Sequence, residues 1–171
     1  MNIKQPTLLI NKRQVINNID KMIKRAKHFH ADFRPHFKTH QSIEIGKIFK
    51  QKGINKITVS SLSMAEFFAS DGWDDITIAF PVNLRQIEEI NILASKIKLN
   101  ILVDSLFSIK QLSNFITHSL GVFIKIDTGY HRSGIAFNNI EIDEIINEIN
   151  INKNLKLIGF LTHAGHTYSA K

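Results

Sequence analysis

The segment Phe33-Arg34-Pro35-His36-Phe37-Lys38-Thr39-His40-Gln41-Ser42-Ile43 holds a single lysine with a histidine two positions to either side. Read as the end of a short strand, Asp32 to Lys38, it puts Lys38 at the strand's carboxyl tip. Alternation would then turn His36, Lys38 and His40 to one face. An amine there, with no obvious acidic neighbour, can shed its proton near neutral pH and attack a carbonyl, which is Schiff-base chemistry. The plainer reading is a surface lysine between two solvated histidines. His36 with His40, or His163 with His166, could also be read as metal-ligand pairs. Each pair lacks a third ligand at diagnostic spacing and neither has the helical H-E-x-x-H form, so no metal site is expected.

The chain that must position these groups has 171 residues, enough for one domain with a sizeable core. It contains no cysteine, which excludes disulfides, thiolate ligands and a thiol nucleophile and fits a reducing compartment. No apolar run approaches the ~20 residues of a membrane span. Met1 to Gln5 shows no signal-peptide pattern, so a cytoplasmic protein without a membrane partner is expected. The net charge of +7 invites a nucleic-acid reading. Much of the excess, however, lies between Lys12 and Lys27, where Val15, Ile19, Met22, Ile23, Ala26 and Phe29 recur at helical spacing with the basic residues mostly between them. That is a solvated helix face opposite a core face, and no aromatic-basic platform accompanies it, so no nucleic-acid partner is expected.

Strand-like and helix-like segments alternate along the chain. Thr7 to Ile10 reads as a short strand, and Asn11 can cap the amphipathic helix after it. Strands are expected at Asp32–Lys38, Lys56–Ser60, Asp75–Phe80, Leu99–Val103, Val122–Ile126 and Leu155–Leu161. Helices are expected between them: from Ser42 to Gly53, Met64 to Ser70 with Ser63 as cap and Glu66 at the capping-box position, Asn83 to Lys96, Ser105 to Thr117, and Asn138 to Ile149. Such alternation predicts parallel strands joined by helices. No G-x-G-x-x-G follows an early strand, which disfavours a dinucleotide-binding sheet. The polar residues gather at the carboxyl ends of the strands, where a (β/α)8 barrel keeps its chemistry: Lys38, Ser60 and Ser61, Asn83, Asp104, Asp127 to Arg132, and His163 to Tyr168. The expected fold is therefore α/β, a parallel TIM-type barrel with about six of its eight strands present.

Three of these segments together resemble a known family. They are Arg34-Pro35-His36-Phe37-Lys38-Thr39-His40, the loop Asp127-Thr128-Gly129-Tyr130-His131-Arg132-Ser133-Gly134, and Thr162-His163-Ala164-Gly165-His166-Thr167-Tyr168. In this order they are similar to the amino-terminal barrel of fold-type III pyridoxal-phosphate (PLP) enzymes, the alanine racemase N-terminal domain. Within that superfamily they look most like the D-threonine aldolase and D-serine dehydratase group. Pro6 to Ile10 is similar to the start of these enzymes, where the first strand belongs to a second, β-rich domain. The resemblance implies that Lys38 forms the Schiff base with the cofactor aldehyde and later acts as a base at the substrate. It implies that Arg132 lies near the cofactor's phenolic oxygen with Lys125 beneath it, that His163 packs against the pyridine ring, and that Tyr168 contacts cofactor or substrate. Asp127 has a simpler role open to it, capping its glycine-containing loop through the backbone.

Lys38 is followed by Thr39-His40 rather than the alanine racemase pattern, which points to a lyase of D-β-hydroxy amino acids. A racemase of the same superfamily and a non-catalytic PLP-binding protein are the alternatives. Residues 1–171 would be the amino-terminal part of the barrel, in the front part of a larger protein or a product truncated near Lys171. The last two strands, whose loops hold the cofactor phosphate in the family, would be absent. So would the carboxyl-terminal β domain, which carries a divalent metal (Zn or Mn) and closes the site in a homodimer. The fragment is expected to be inactive alone.

Overall fold

Isoleucine, valine and leucine recur at alternate positions in the strand segments, and these residues build the layer between sheet and helices. Ile57, Val59, Ile76, Ile78, Leu99, Ile101, Val103, Leu120, Val122 and Ile124 all belong to one buried cluster, with side chains from the helices packed over them. The structure is a computed structural model and describes residues 4–169. Helix α1 (Lys12–His28) is capped by the Asn11 side chain, which accepts the Gln14 amide. A 3-10 turn (Phe37–Thr39) and helix α2 (Ile43–Gln51) precede strand β1 (Ile57–Val59). Helix α3 (Leu62–Ser70) leads to strand β2 (Asp75–Pro81). A second 3-10 turn (Leu84–Gln86) runs into helix α4 (Ile87–Ala94), then strand β3 (Lys98–Val103) and helix α5 (Leu106–Phe115). Strand β4 (Leu120–Asp127), the short strand β5 (Ile135–Ala136), helix α6 (Glu141–Ile151), strand β6 (Leu155–Thr162) and a 3-10 turn (Gly165–Ser169) complete the series.

All strand pairs among the described residues are parallel, in the order β1-β2-β3-β4, with β6 on the free edge of β4 and β5 meeting β4 at Ile126 and Asp127. This is the expected α/β architecture of a partial barrel. Thr58, Thr77, Asn100 and Lys125 are buried on the face away from the helices. Asn100 donates to Thr77 Oγ1 at 3.2 Å, and a side chain at Gly121 would run into Asn100, the nearest contact being 2.0 Å. Near the amino ends of the strands, Arg34 donates to the Ile57 and Asp75 carbonyls and to the Asp75 carboxylate at 2.7 Å, while Lys98 meets the same carboxylate at 2.8 Å.

Four local expectations are corrected. Residues Thr7–Ile10 form no strand; Leu8, Leu9 and Ile10 are exposed, and no described strand lies beside them to complete a ladder. Asp32–Lys38 is no strand either: one parallel bridge, His36 to Thr58, follows Pro35, and the chain then turns into the 3-10 helix. Ser61, not Ser63, caps α3, accepting the Met64 amide at 3.2 Å. The helix placed at Asn83 opens as a 3-10 turn capped by Asn83 before α4 begins. Between Thr77 and Pro81 strand β2 also bulges, since Thr77 pairs with Asn100 but Pro81 with Leu102.

Candidate active site

The turn that carries Lys38 is anchored from below. Phe37 is fully buried, and its ring meets those of Phe49 (5.1 Å), Phe68 (4.9 Å), Trp73 (5.1 Å) and His40 (4.4 Å). With Phe37 drawn into the layer under α2 and α3, the next residue in the tight turn emerges, and Lys38 is exposed. It stands on the walls of two adjoining cavities of about 730 and 500 Å³ that share His36, Ala79, Phe80, Pro81 and Arg132. Sites for small ligands fall in this size range. His40 does not share the face of Lys38 as the strand reading required. Its ring lies against Phe37 and stacks on Phe49 at 5.9 Å, because a 3-10 turn lacks the two-residue alternation of a strand.

Arg132 reaches both cavities from the loop after β4. Asp127 organises that loop: its Oδ1 accepts the amides of Gly129, Tyr130 and His131 at 2.9, 3.1 and 3.0 Å, and its Oδ2 meets His131 Nδ1 at 2.9 Å. These bonds, that from the His131 amide first, outweigh desolvation and hold the carboxyl below the usual aspartate range. Asp127 thus has the capping role open to it from sequence. Gly134 ends the loop at φ +108°, where a Cβ would sit 2.8 Å from the Asp127 nitrogen.

Lys125 is 4 % exposed on the same face of β4 and lines the smaller cavity with Arg132 and His163. Burial, and then the Arg132 charge, push its amine below the ordinary lysine range against the pull of Asp127 and Asp104. His163 follows β6; desolvation, then the charges of Arg132, Lys125 and Lys38, hold its imidazole below the ordinary histidine range. The structure therefore brings Lys38, Arg132 and His163 to one place. Tyr168 stands apart from the cavity walls: it is 82 % exposed, and its ring lies 5.9 Å from that of His163.

Sequence reading gave no role to Tyr130, whose ring lies 5.4 Å from that of His163 and 5.7 Å under the Arg132 guanidinium. Its signal was its place in the Asp127 loop. Ser60, Ser61, Asn83 and Gln86 give the larger cavity a polar side, and neither cavity wall contains a carboxylate among the described residues. What the walls offer is an amine for a carbonyl, cations for an anionic ligand and an imidazole. That donor set fits the PLP ring and its phenolic oxygen.

The comparisons agree with this architecture. A D-serine dehydratase from Dictyostelium discoideum is 32% identical over 186 residues, which cover 99% of this chain and 47% of the relative. The structure of D-threo-3-hydroxyaspartate dehydratase from Delftia sp. HT23 superimposes with a TM-score of 0.89 at 28% identity, covering 97% of this chain and 45% of that one. A D-threonine aldolase from Filomicrobium marinum, 21% identical, shares the fold with a TM-score of 0.83 over 92% of this chain and 43% of its own. The chain thus spans under half the length of these relatives. Residues 10–171 match the model of the alanine racemase N-terminal domain, and the chain belongs to that family.

Proposed function

We propose that this chain is the lysine-bearing part of a PLP-dependent lyase that acts on D-β-hydroxy amino acids. The observation that carries the reading is Lys38 at the junction of two cavities whose walls hold Arg132 and, in one, Lys125, but no carboxylate among the described residues. Such walls favour an anionic ligand, and the amine supplies the nucleophile an aldehyde cofactor needs. The bound cofactor would serve as electron sink for breaking a bond at the amino acid's Cα. Lys38 holds the cofactor and then moves the proton at the substrate Cα. Arg132 sets its guanidinium against an anionic oxygen, with Tyr130 beneath it, and His163 keeps a neutral ring beside the ligand. In a dehydratase the Cα–H bond breaks and the β-hydroxyl leaves, giving pyruvate and ammonia from D-serine. In an aldolase the Cα–Cβ bond breaks, giving glycine and an aldehyde. The names of the relatives favour the first. The remaining strands and a β domain holding a divalent metal would complete the site in a homodimer.

PLP binding by the chain complemented with the carboxyl-terminal half of the Delftia enzyme tests the cofactor. Titration should give a visible absorption band, and Lys38→Ala should abolish it. A band that survives the substitution removes Lys38 from the reading. Ammonia release from D-serine and D-threo-3-hydroxyaspartate, against glycine from D-threonine, decides the reaction once the chain is complemented with the carboxyl-terminal half of the Delftia enzyme.

A further inference from the structure

The turn bearing Lys38 is held at both ends by the same device. The Lys38 amide donates to His36 Nδ1 at 3.3 Å, and the Ser42 amide donates to His40 Nδ1 at 3.1 Å. Between them the Gln41 amide closes on the Phe37 carbonyl at 3.0 Å, with Gln41 at φ +43°. A ring nitrogen that accepts an amide proton carries none of its own, so each imidazole is neutral with its proton on Nε2.

We infer that His36 and His40 are positioning residues for Lys38, their bare Nδ1 atoms latching the backbone on either side of the turn so that the amine is delivered to the cavities. This rests on the reading of Lys38 as the reactive amine. The surroundings suit it. The titratable and charged groups that line the cavity with His36 are Arg34, Lys38, Lys125, Arg132 and His163, none of which would favour an imidazolium. His40 faces Phe37, Phe49 and Phe68, and its Nε2 is buried with no partner among the described residues. Burial pushes both rings below the ordinary histidine range, and the Lys38 charge adds to this at His36. Protonation would turn each Nδ1 into a donor facing an amide N–H, opening the latch.

The test uses the 171-residue chain labelled with ¹⁵N. Ring-nitrogen spectra at neutral pH should show both histidines as the Nε2–H tautomer, and the Lys38 and Ser42 amide signals should move as the rings protonate. His36→Asn places an amide oxygen near the position of Nδ1, whereas His36→Gln places its amide near Nε2. Trapping of PLP at Lys38 by borohydride should stay close to wild type in the Asn variant and lose its dependence on His36 protonation. It should slow about tenfold or more in the Gln and Phe variants, since small misplacements of a reacting group are costly. Thermal unfolding of each variant separates loss of the latch from loss of the fold. An Nδ1–H tautomer, or rescue by Gln as complete as by Asn, overturns the inference. Wild type that traps no PLP at Lys38 even when complemented with the carboxyl-terminal half of the Delftia enzyme overturns the proposed function instead, and the tautomer and amide shifts still decide the latch.

Discussion

Removing the Phe37 ring should cost more stability than any other single aromatic truncation near the site. The side chain is fully buried and meets four rings within 5.1 Å, two of them edge-on. Truncating a buried phenylalanine to alanine costs about 3–5 kcal/mol through lost transfer energy and the cavity left behind. Edge-to-face pairs add about 0.5–1.5 kcal/mol beyond area, which puts Phe37→Ala near the top of that range. In a chain of this size ~4 kcal/mol corresponds to about 8–16 °C in Tm. Phe107 is 67 % exposed on α5, and its truncation should stay within about 0.5 kcal/mol. Urea unfolding followed by Trp73 fluorescence reads the same cluster, because that indole is the only one and its ring centroid is 5.1 Å from that of Phe37. If Phe37→Ala shifts the midpoint no more than Phe107→Ala, the anchor assigned to the Lys38 turn is refuted.

Gly134→Ala should cost about 1–3 kcal/mol, from a residue forced to φ +108° with its Cβ against Asp127, and should weaken PLP binding by moving Arg132; calorimetry and PLP titration check both. Asp75→Ala leaves Arg34 and Lys98 facing each other and should cost about 2–3 kcal/mol in urea unfolding, less than the ~3–5 of a fully buried pair because its carboxylate is partly exposed. Stability should also depend on pH through His36 and His40. Their folded pKa values lie below the unfolded value, so the contribution is complete above the ordinary histidine range and is lost as pH falls from there through the lowered values. Unfolding at a series of pH values should show that slope before the carboxylates titrate, and His40→Asn, which does not titrate, should flatten it.

The parallel sheet was legible because its helix-facing residues, such as Ile57, Ile76, Leu99 and Val122, are apolar at alternate positions, and helical segments separate them. Polar residues gather at the carboxyl ends of the strands, and of those expected to act there Lys38, Arg132 and His163 line one cavity. The Lys38 turn was not legible, because Phe33, Phe37 and the two histidines mimic strand alternation while the tertiary pull on Phe37 bends the chain. Ser61 and Ser63 can both cap a helix, and Glu66 three residues after Ser63 suggested the wrong one. Strand β5 is two residues in a loop without period, and Tyr130 gains its place from the Asp127 bonds, which no spacing announces. Thr7 to Ile10 has a strand's composition, but pairing depends on a neighbour that the described residues do not supply.

The most direct measurement is to incubate the chain with PLP, reduce with borohydride, digest, and map the modified lysine by mass spectrometry. The account predicts a pyridoxyl group on Lys38 ahead of every other lysine, absent from Lys38→Ala and with Lys125 unmodified. Modification centred on another lysine, or labelling of Lys38 no greater than that of the surface lysines of α1, would contradict it.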